Sequence, residues 1–290
     1  MSGDGSEIAG VTADSLASLV RVQLDKFTPT ERRVCHVLLS NYPFAGLETA
    51  AELAARAGVS APTVLRFVAR LGLSGYPEFQ KRLREELEAR LIAPAAKHRP
   101  ADEATGAAAA LDAFAAAVKG NVTRTMDDVA VSEFEAIATL LADPKRPIHC
   151  VGGRFTEPLA LYLVRHLRIV RPDVTMLDAM TATWGDHVIN MDKRDVLVAF
   201  DIRRYQTDVI QLAENAAARG ASVVLFTDTW LSPIVRIARH VLSSQVGVPS
   251  NFDSTVAMLA LIEALIARVT DDLWPTAKLR MEALEKLRGA

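Results

Sequence analysis

Residues 49–72 constrain the chain most, because they predict two short helices joined at a glycine. Thr49 and Glu52 have the spacing of a capping box, in which each side chain satisfies a backbone N–H at the start of the first helix. Gly58 supplies the turn, and Ser60 is placed to cap the second helix. The segment is therefore predicted to be a helix-turn-helix, whose second helix is able to enter a DNA groove.

The second helix of this segment is amphipathic. Its apolar residues recur at i, i+3 and i+4 spacing, and they are Val64, Phe67, Val68 and Leu71. Thr63, Arg66 and Arg70 are expected on an outward side. Thr63 is the first candidate for a base contact and Arg66 the second, because cations near a recognition helix more often contact phosphate. Ser60 and Arg70 are further candidates for DNA contact, although capping alone suffices to explain Ser60.

The charge distribution is more informative than the net charge. The 290 residues carry a formal charge of −2. Residues 26–84 nevertheless hold nine Lys and Arg against four Glu, which gives +5. A local excess of cations favours binding to the phosphates of a duplex. Without the helix-turn-helix, a solvated charged surface would explain these residues equally well.

Length and composition exclude several classes of protein. Half of the residues are hydrophobic, and the chain is long enough for two domains with separate cores. It shows neither a long uncharged apolar run nor a signal peptide, so we expect a cytoplasmic protein with no membrane partner. Cys35 and Cys150 lack metal-ligand spacing and are expected to be reduced and buried. We expect no metal and no cofactor.

The pattern along the chain predicts an all-α domain followed by an α/β domain. The helix-turn-helix domain is placed at 14–92, a proline-containing linker at 93–106, and the second domain at 107–290, after a disordered tail over 1–13. Strands are predicted at 148–151, 174–177, 196–200, 223–226 and 241–243, and helices near 107–127, 132–142, 156–170, 205–219 and 253–269. This alternation predicts a three-layer α/β/α fold with a parallel sheet, which binds ligands at the carboxyl ends of its strands.

With these motifs the chain resembles the RpiR family of bacterial transcription regulators, which join an N-terminal helix-turn-helix to a C-terminal sugar isomerase (SIS) domain. The most specific matches are at 28–32, 51–54, 58–60, 63–67 and 71–79. The resemblance implies a homodimer or homotetramer on a palindromic double-stranded DNA operator, and an SIS domain that senses a small metabolite, commonly a phosphosugar. It also implies DNA-backbone contacts by Ser74, Tyr76 and Lys81. For Tyr76 the alternative is packing beside Phe79.

The second domain departs from the family pattern at 201–206. Family members that bind phosphosugars have a loop here resembling Ser-His-Ser-Gly-Xaa-Thr, whose hydroxyl and N–H groups surround a phosphate. In this chain Asp201 and Arg203 replace the two serines, Arg204 the glycine and Gln206 the threonine. The usual phosphate site is therefore absent, and we expect Arg203 or Arg204 to hold a small anion, either a sugar phosphate or a sugar acid. The alternative is that Asp201 and one of the arginines pair with each other or across a subunit interface, and no metabolite binds.

Other candidate effector residues follow the first and fourth predicted strands. Gly152 and Gly153 permit close backbone approach, and the helix that follows Arg154 and Thr156 offers an N-terminus that favours anions. Two further candidates are Tyr205 and Thr227. Asp228, beside Thr227, has the alternative role of capping the next turn.

The leading interpretation is a regulator whose DNA binding responds to a small anionic metabolite. The alternative is an enzyme, a sugar-phosphate isomerase with an appended helical domain. Isomerisation needs a base of tuned pKa beside a held phosphate, and the sequence at 201–206 removes that phosphate grip. His187 follows Asp186 directly, but neighbours in a helix point in different directions, so no catalytic residue is assigned.

Overall fold

A computed structural model describes residues 15–40, 42–91, 106–177 and 180–289. The expected tail and all but the last residue of the expected linker lie outside this part of the chain, so the division at 93–106 stays a prediction. No helix within the described residues is both long and apolar enough to cross a lipid bilayer.

The N-terminal part is a cluster of helices around one apolar core. The helices are α1 (Leu16–Val22), α2 (Pro29–Ser40), α3 (Phe44–Leu47), α4 (Ala50–Ala57), α5 (Ala61–Arg70) and α6 (Tyr76–Leu91). Phe67 of α5 is fully buried, and its ring centroid lies 5.2 Å from that of Phe27 and 6.4 Å from that of Phe79. The predicted apolar face of α5 is confirmed, because Val64, Phe67, Val68 and Leu71 are all buried.

Local hydrogen bonds fix the α4–α5 turn. The Glu52 N–H donates to Thr49 Oγ1 (3.2 Å), and the Thr49 N–H donates to Glu52 Oε2 (2.8 Å). Gly58 ends α4 with φ 60° and ψ 40°, a left-handed conformation that glycine adopts without strain. The predicted capping box and turn are therefore confirmed, and α5 begins directly after them.

The C-terminal part is built on a parallel sheet of five strands. The strands are β1 (Ile148–Gly152), β2 (Val174–Met176), β3 (Val196–Asp201), β4 (Ser222–Asp228) and β5 (His240–Ser244). Their order is β2-β1-β3-β4-β5, and all neighbours are parallel. This order reverses between β1 and β3, the place where open α/β sheets bind ligands.

Helices cover both faces of the sheet, which confirms the expected three-layer α/β/α fold. They are α7 (Ala107–Asp128), α8 (Val131–Ala142), α9 (Glu157–Val170), α10 (Trp184–Val188), α11 (Thr207–Ala218), α12 (Val256–Asp272) and α13 (Trp274–Arg288). Side chains of β3 alternate between two cores: Val198 packs with α8, α9 and α12, and Leu197 with α10 and α11. Cys35 and Cys150 are buried thiols in the two different parts of the fold.

A loop after β4 joins the two parts. Leu231 is only 2% exposed and belongs to the apolar core of the N-terminal helices. The Ser15 hydroxyl donates to the backbone carbonyl of Thr229. A 3-10 helix (Pro233–Arg236) then contacts α2. We call residues 228–236 the bridging loop, because they extend from the sheet into the helical core.

Gly152 gives a test of the packing at the end of β1. A Cβ built on Gly152 would lie 2.5 Å from the Glu157 backbone nitrogen, where α9 begins. We expect Gly152→Ala to destabilise the protein by about 1–3 kcal/mol, since the backbone must shift to admit the methyl group. Thermal denaturation should show a lower melting temperature.

Gly185→Ala is the matched control. Gly185 lies in α10, and a Cβ there meets no heavy atom within 4 Å among the described residues. This variant should keep or slightly raise the melting temperature, because alanine loses less entropy in a helix than glycine. Equal effects of the two substitutions would contradict the packing described for Gly152.

Candidate functional site

Two arginines lie on the outer side of α5. Arg66 is exposed, and its Nη2 donates to Thr63 Oγ1 (3.1 Å). The Arg70 side chain is 50% exposed; its Nη1 donates to the Lys26 carbonyl (3.0 Å) and lies 3.3 Å from a carboxylate oxygen of Glu31. Both guanidinium groups border a shallow surface depression of about 460 Å³ beside the first turn of α2. The helix therefore presents positive charge to solvent from tethered side chains.

The expected orientation of Thr63 is wrong. Thr63 is only 6% exposed, because it precedes the buried Phe67 by four residues and shares its side of the helix. Its hydroxyl lies 3.0 Å from the Ser60 hydroxyl and accepts the bond from Arg66. Ser60 is the residue that precedes α5, but its hydroxyl caps no backbone N–H among the described residues. Thr63 is thus placed to orient the Arg66 side chain, and it is not the first candidate for a contact with a DNA base.

The expected DNA contact of Tyr76 is also wrong. Tyr76 is 8% exposed, its ring centroid lies 5.4 Å from that of Phe79, and its hydroxyl donates to the Glu48 carbonyl (2.9 Å). Burial raises the pKa of this phenol to about 12. The alternative of core packing beside Phe79 is therefore correct.

Ser74 and Lys81 are exposed, as a contact with DNA requires. The Ser74 hydroxyl donates to Glu78 (2.6 Å), and the Lys81 ammonium lies 3.8 Å from Glu85. Neither interaction removes the side chain from the surface. Their contacts with a DNA backbone stay predictions.

A cavity of about 650 Å³ lies at the carboxyl ends of β1 and β3, where the strand order reverses. Seven of the candidate effector residues line it: Gly153, Arg154, Thr156, Asp201, Arg203, Arg204 and Gln206. Gly152 lies just below, against the backbone at the start of α9. The structure therefore brings the loops after β1 and β3 together around one pocket.

Asp201 and Gln206 turn their oxygens toward the protein's own N–H groups. Asp201 Oδ1 accepts from the Gln206 N–H (3.2 Å), and Asp201 Oδ2 accepts from the Ser232 hydroxyl (2.5 Å). Gln206 Oε1 accepts from the Arg154 N–H. Burial and, to a smaller extent, the nearby Asp228 raise the pKa of Asp201 from its ordinary value of 3.8 to about 7, although the hydrogen bonds from Ser232 and Gln206 act to lower it.

Arg203 already holds a carboxylate. Its Nε donates to Asp253 Oδ2 (2.9 Å) and its Nη2 to Asp253 Oδ1, a bidentate pair. Its guanidinium also lies 4.4 Å from the ring centroid of Trp230. Among the described residues Asp201 pairs with no arginine, so the alternative pairing of Asp201 is not found within the chain; Arg203 pairs with Asp253 instead. Arg203 forms part of the pocket wall.

Two other arginines of the pocket remain exposed. Arg154 lies 5.3 Å from the ring centroid of Phe155, and Arg204 has a positive φ of 72°. Neither side chain forms an ion pair with another described residue. These are the cations of the pocket that a ligand reaches most directly.

The predicted effector roles of Tyr205 and Thr227 do not fit the geometry. Thr227 is fully buried, because β4 extends to Asp228, and its Oγ1 accepts from the Ser232 N–H (3.0 Å). Tyr205 donates to Asp228 Oδ1 (2.9 Å) and does not line the cavity. Asp228 also accepts from the N–H groups of Arg203 (2.5 Å) and Trp230 (2.9 Å), so its alternative role as a turn cap is correct.

Sequence reasoning missed one wall of the pocket. The missed residues are Phe155, Ile202, Asn251, Phe252, Asp253 and Thr255. Phe155 and Phe252 are 59% and 57% exposed, with ring centroids 6.1 Å apart. Most of this wall is a polar loop between β5 and α12 that contains Pro249 and Asn251. Its position at the carboxyl edge of the sheet was the available signal.

Two family models match the chain. Residues 15–90 match the "Helix-turn-helix domain, rpiR family" model, and residues 140–268 match the "SIS domain" model. The first segment contains α1 to α5 and nearly all of α6. The second contains all five strands of the sheet and both pocket loops.

Curated relatives carry regulator names. The chain is 40% identical over 73 residues to the HTH-type transcriptional regulator HexR of Pseudomonas aeruginosa, a match that covers 25% of this chain and 26% of that protein. It is 24% identical over 230 residues to an uncharacterized HTH-type transcriptional regulator of Providencia stuartii, covering 79% of each protein. The match to HexR thus spans about a quarter of that relative.

Solved structures share the fold. The sugar isomerase domain of an RpiR transcription factor from Sphaerobacter thermophilus has a TM-score of 0.56 and 22% identity, covering 61% of this chain and 97% of that one. The Vibrio vulnificus NanR protein complexed with ManNAc-6P has a TM-score of 0.54 and 20% identity, covering 93% of this chain and 97% of that one. With an rpiR-type helix-turn-helix and an SIS domain on one polypeptide, the chain belongs to the RpiR family of transcription regulators.

Proposed function

We propose that this protein binds an operator through α5 and that a small anionic metabolite in the sheet-edge pocket modulates that binding. The observation that carries the proposal is the exposed position of Arg66 and Arg70 on α5, directly after the Gly58 turn. A helix in this arrangement is able to enter the major groove, with its cations against phosphates or guanine edges. Family membership supports the same function.

A pair of such helices is needed to grip an operator with two half-sites. We propose that the protein acts as a homodimer or homotetramer on a palindromic site, since two-fold symmetry in the protein matches two-fold symmetry in DNA. Arg66 is the first candidate for base contact. Ser60, Arg70, Ser74 and Lys81 are candidates for contact with the DNA backbone.

The pocket supports an anionic effector. Arg154 and Arg204 offer guanidinium groups at its mouth, and NanR, which has the same fold, was solved with a phosphorylated sugar. We propose a small anionic metabolite of the sugar acid or sugar phosphate class for this chain. The proposal does not include catalysis, because Asp201 is engaged by Ser232 and Gln206. Neither Asp186 nor His187 lines the pocket.

The bridging loop gives a physical route between the pocket and the helices. Arg203 in the pocket wall contacts Asp228 and Trp230, and Leu231 follows directly in the core of the N-terminal helices. A ligand that moves the loop after β3 would act on this chain of contacts. Differential affinity for two loop positions is what would shift the helices.

Arg66→Ala tests the DNA contact. We expect about tenfold or greater loss of affinity for a DNA fragment from directly upstream of the gene, since a groove contact is removed while an exposed side chain costs the fold little. Gel retardation at two salt concentrations measures this, and wild-type binding should weaken steeply as salt rises.

The control for Arg66→Ala is Arg165→Ala, an exposed arginine on α9. It should bind DNA like the wild type. Equal DNA affinities of the wild type and both variants would show that Arg66 of α5 does not contact DNA. Turnover of sugar phosphates without any retardation would favour the isomerase alternative instead.

Leu231→Ala tests the bridging loop. The cavity left in the core of the N-terminal helices should cost about 2–5 kcal/mol, so backbone amides of α1 and α2 should exchange hydrogen faster. Leu279→Ala on α13 is the control, because Leu279 is exposed. Unchanged exchange in α1 and α2 would show that the loop does not hold these helices.

A further inference from the structure

Two N–H groups that border the pocket, those of Arg154 and Gln206, already have acceptors within the chain. The Arg154 N–H, just before α9, donates to Gln206 Oε1, and the Gln206 N–H, at the start of α11, donates to Asp201 Oδ1. A Cβ built on Gly153 would collide with the Gln206 side chain, so this side chain fills the space above the glycine. A phosphate that bound these two N–H groups would have to displace the Gln206 side-chain amide from the Arg154 N–H and the Asp201 carboxylate from the Gln206 N–H.

At pH 8, where Asp201 is ionised, the charges of the pocket favour a single negative charge. Arg154, Arg203 and Arg204 face Asp201 and Asp253 across it, and Arg203 is paired with Asp253. The Arg154 and Arg204 guanidinium groups remain for a ligand, and that of Arg154 lies beside the exposed Phe155 ring. A phosphate ester carries more negative charge than a carboxylate, so the aspartates of the pocket oppose it more strongly.

The apolar part of the pocket lies beside these cations. Phe155 and Phe252 are exposed, and their rings meet at 60° with centroids 6.1 Å apart. Arg154 lies against the face of Phe155, which holds its guanidinium next to the ring. A ring-shaped ligand with a planar acid group would therefore contact an aromatic face and a guanidinium fork together.

We infer that this pocket selects a carboxylate on a small ring, a cyclic sugar acid, over the corresponding sugar phosphate. The inference rests on the proposed effector role and names the ligand class for that site. Gln206 and Asp201 are the residues that exclude phosphate, Arg154 and Arg204 bind the carboxylate, and Phe155 with Phe252 contacts the ring.

Asp201 also gives a pH dependence that can be measured without a ligand. Burial raises its pKa to about 7, so the folded state keeps a proton that the unfolded state loses above its ordinary value of 3.8. Stability should therefore fall as pH rises from about 4 to about 7, since the native state binds more protons in this window. Asp228 on β4 is the charged group that acts on Asp201, and the Ser232 hydroxyl and the Gln206 N–H donate hydrogen bonds to it.

Asp201→Asn should remove this part of the pH dependence. Chemical denaturation at pH 5 and pH 8 compares the two proteins, and the variant should gain stability relative to the wild type at pH 8. Parallel pH profiles would show that Asp201 titrates normally.

Isothermal titration with three ligands of the same ring size tests the ligand class: glucuronate, glucose 6-phosphate and glucose. We expect glucuronate to bind at least about tenfold more tightly than glucose 6-phosphate, and glucose to bind least. Arg204→Ala and Phe252→Ala should each weaken glucuronate binding, with Arg165→Ala as the control. Gln206→Ala should narrow the preference by improving glucose 6-phosphate binding, because it frees the Arg154 N–H.

Tighter or equal binding of glucose 6-phosphate to the wild type would overturn the inference, as would no saturable glucuronate binding up to about 10 mM. DNA retardation by the ligand-free protein is measured in parallel. Glucuronate binding without retardation would sink the regulator proposal and leave the ligand class intact. DNA retardation together with tighter binding of glucose 6-phosphate would overturn the ligand class and leave the regulator proposal intact.

Discussion

The hydrogen bonds of the Asp228 carboxylate are the interactions on which the positions of the pocket wall and the bridging loop depend. The carboxylate is fully buried at the end of β4 and accepts hydrogen bonds from the Arg203 N–H, the Tyr205 hydroxyl and the Trp230 N–H. A buried carboxylate is tolerated only when it is satisfied in this way. These bonds fix the loop after β3 to the loop after β4, so the pocket wall and the bridging loop share one anchor.

The fold could be predicted from the sequence because the spacing of apolar residues shows which face of each helix or strand is buried. The capping box at Thr49, the Gly58 turn and the apolar side of α5 are set by local spacing, and the parallel sheet by alternation of short apolar runs with helical ones. Thr63 was wrongly assigned to the outer side, although its spacing of four residues before Phe67 places it on the buried side, where its hydroxyl contacts that of Ser60 and accepts a hydrogen bond from Arg66. Tyr76 was ambiguous, since a tyrosine ring is compatible with core and surface.

The pocket was only half predictable. Loops after β1 and β3 converge because parallel strands end at one edge, so both loops were expected to contribute to one ligand site. The partner of Arg203 was not, because Asp253 lies fifty residues away along the chain and reaches the site from the loop before α12. Likewise, the sequence indicated that the loop at 201–206 lacks the usual phosphate-binding residues. Only the side-chain positions show that Gln206 and Asp201 accept hydrogen bonds from the Arg154 and Gln206 N–H groups.

Leu231 carries a consequence for how the protein melts. Its side chain belongs by sequence to the sheet portion and by packing to the helical cluster, so the helical cluster has no complete apolar core without the sheet portion. Heating should therefore unfold the two together in one cooperative transition. An isolated fragment of the N-terminal helices would have a cavity at the position of the Leu231 side chain. Exchange of the helix-turn-helix portion between relatives would therefore require a residue in the bridging loop that fills this cavity.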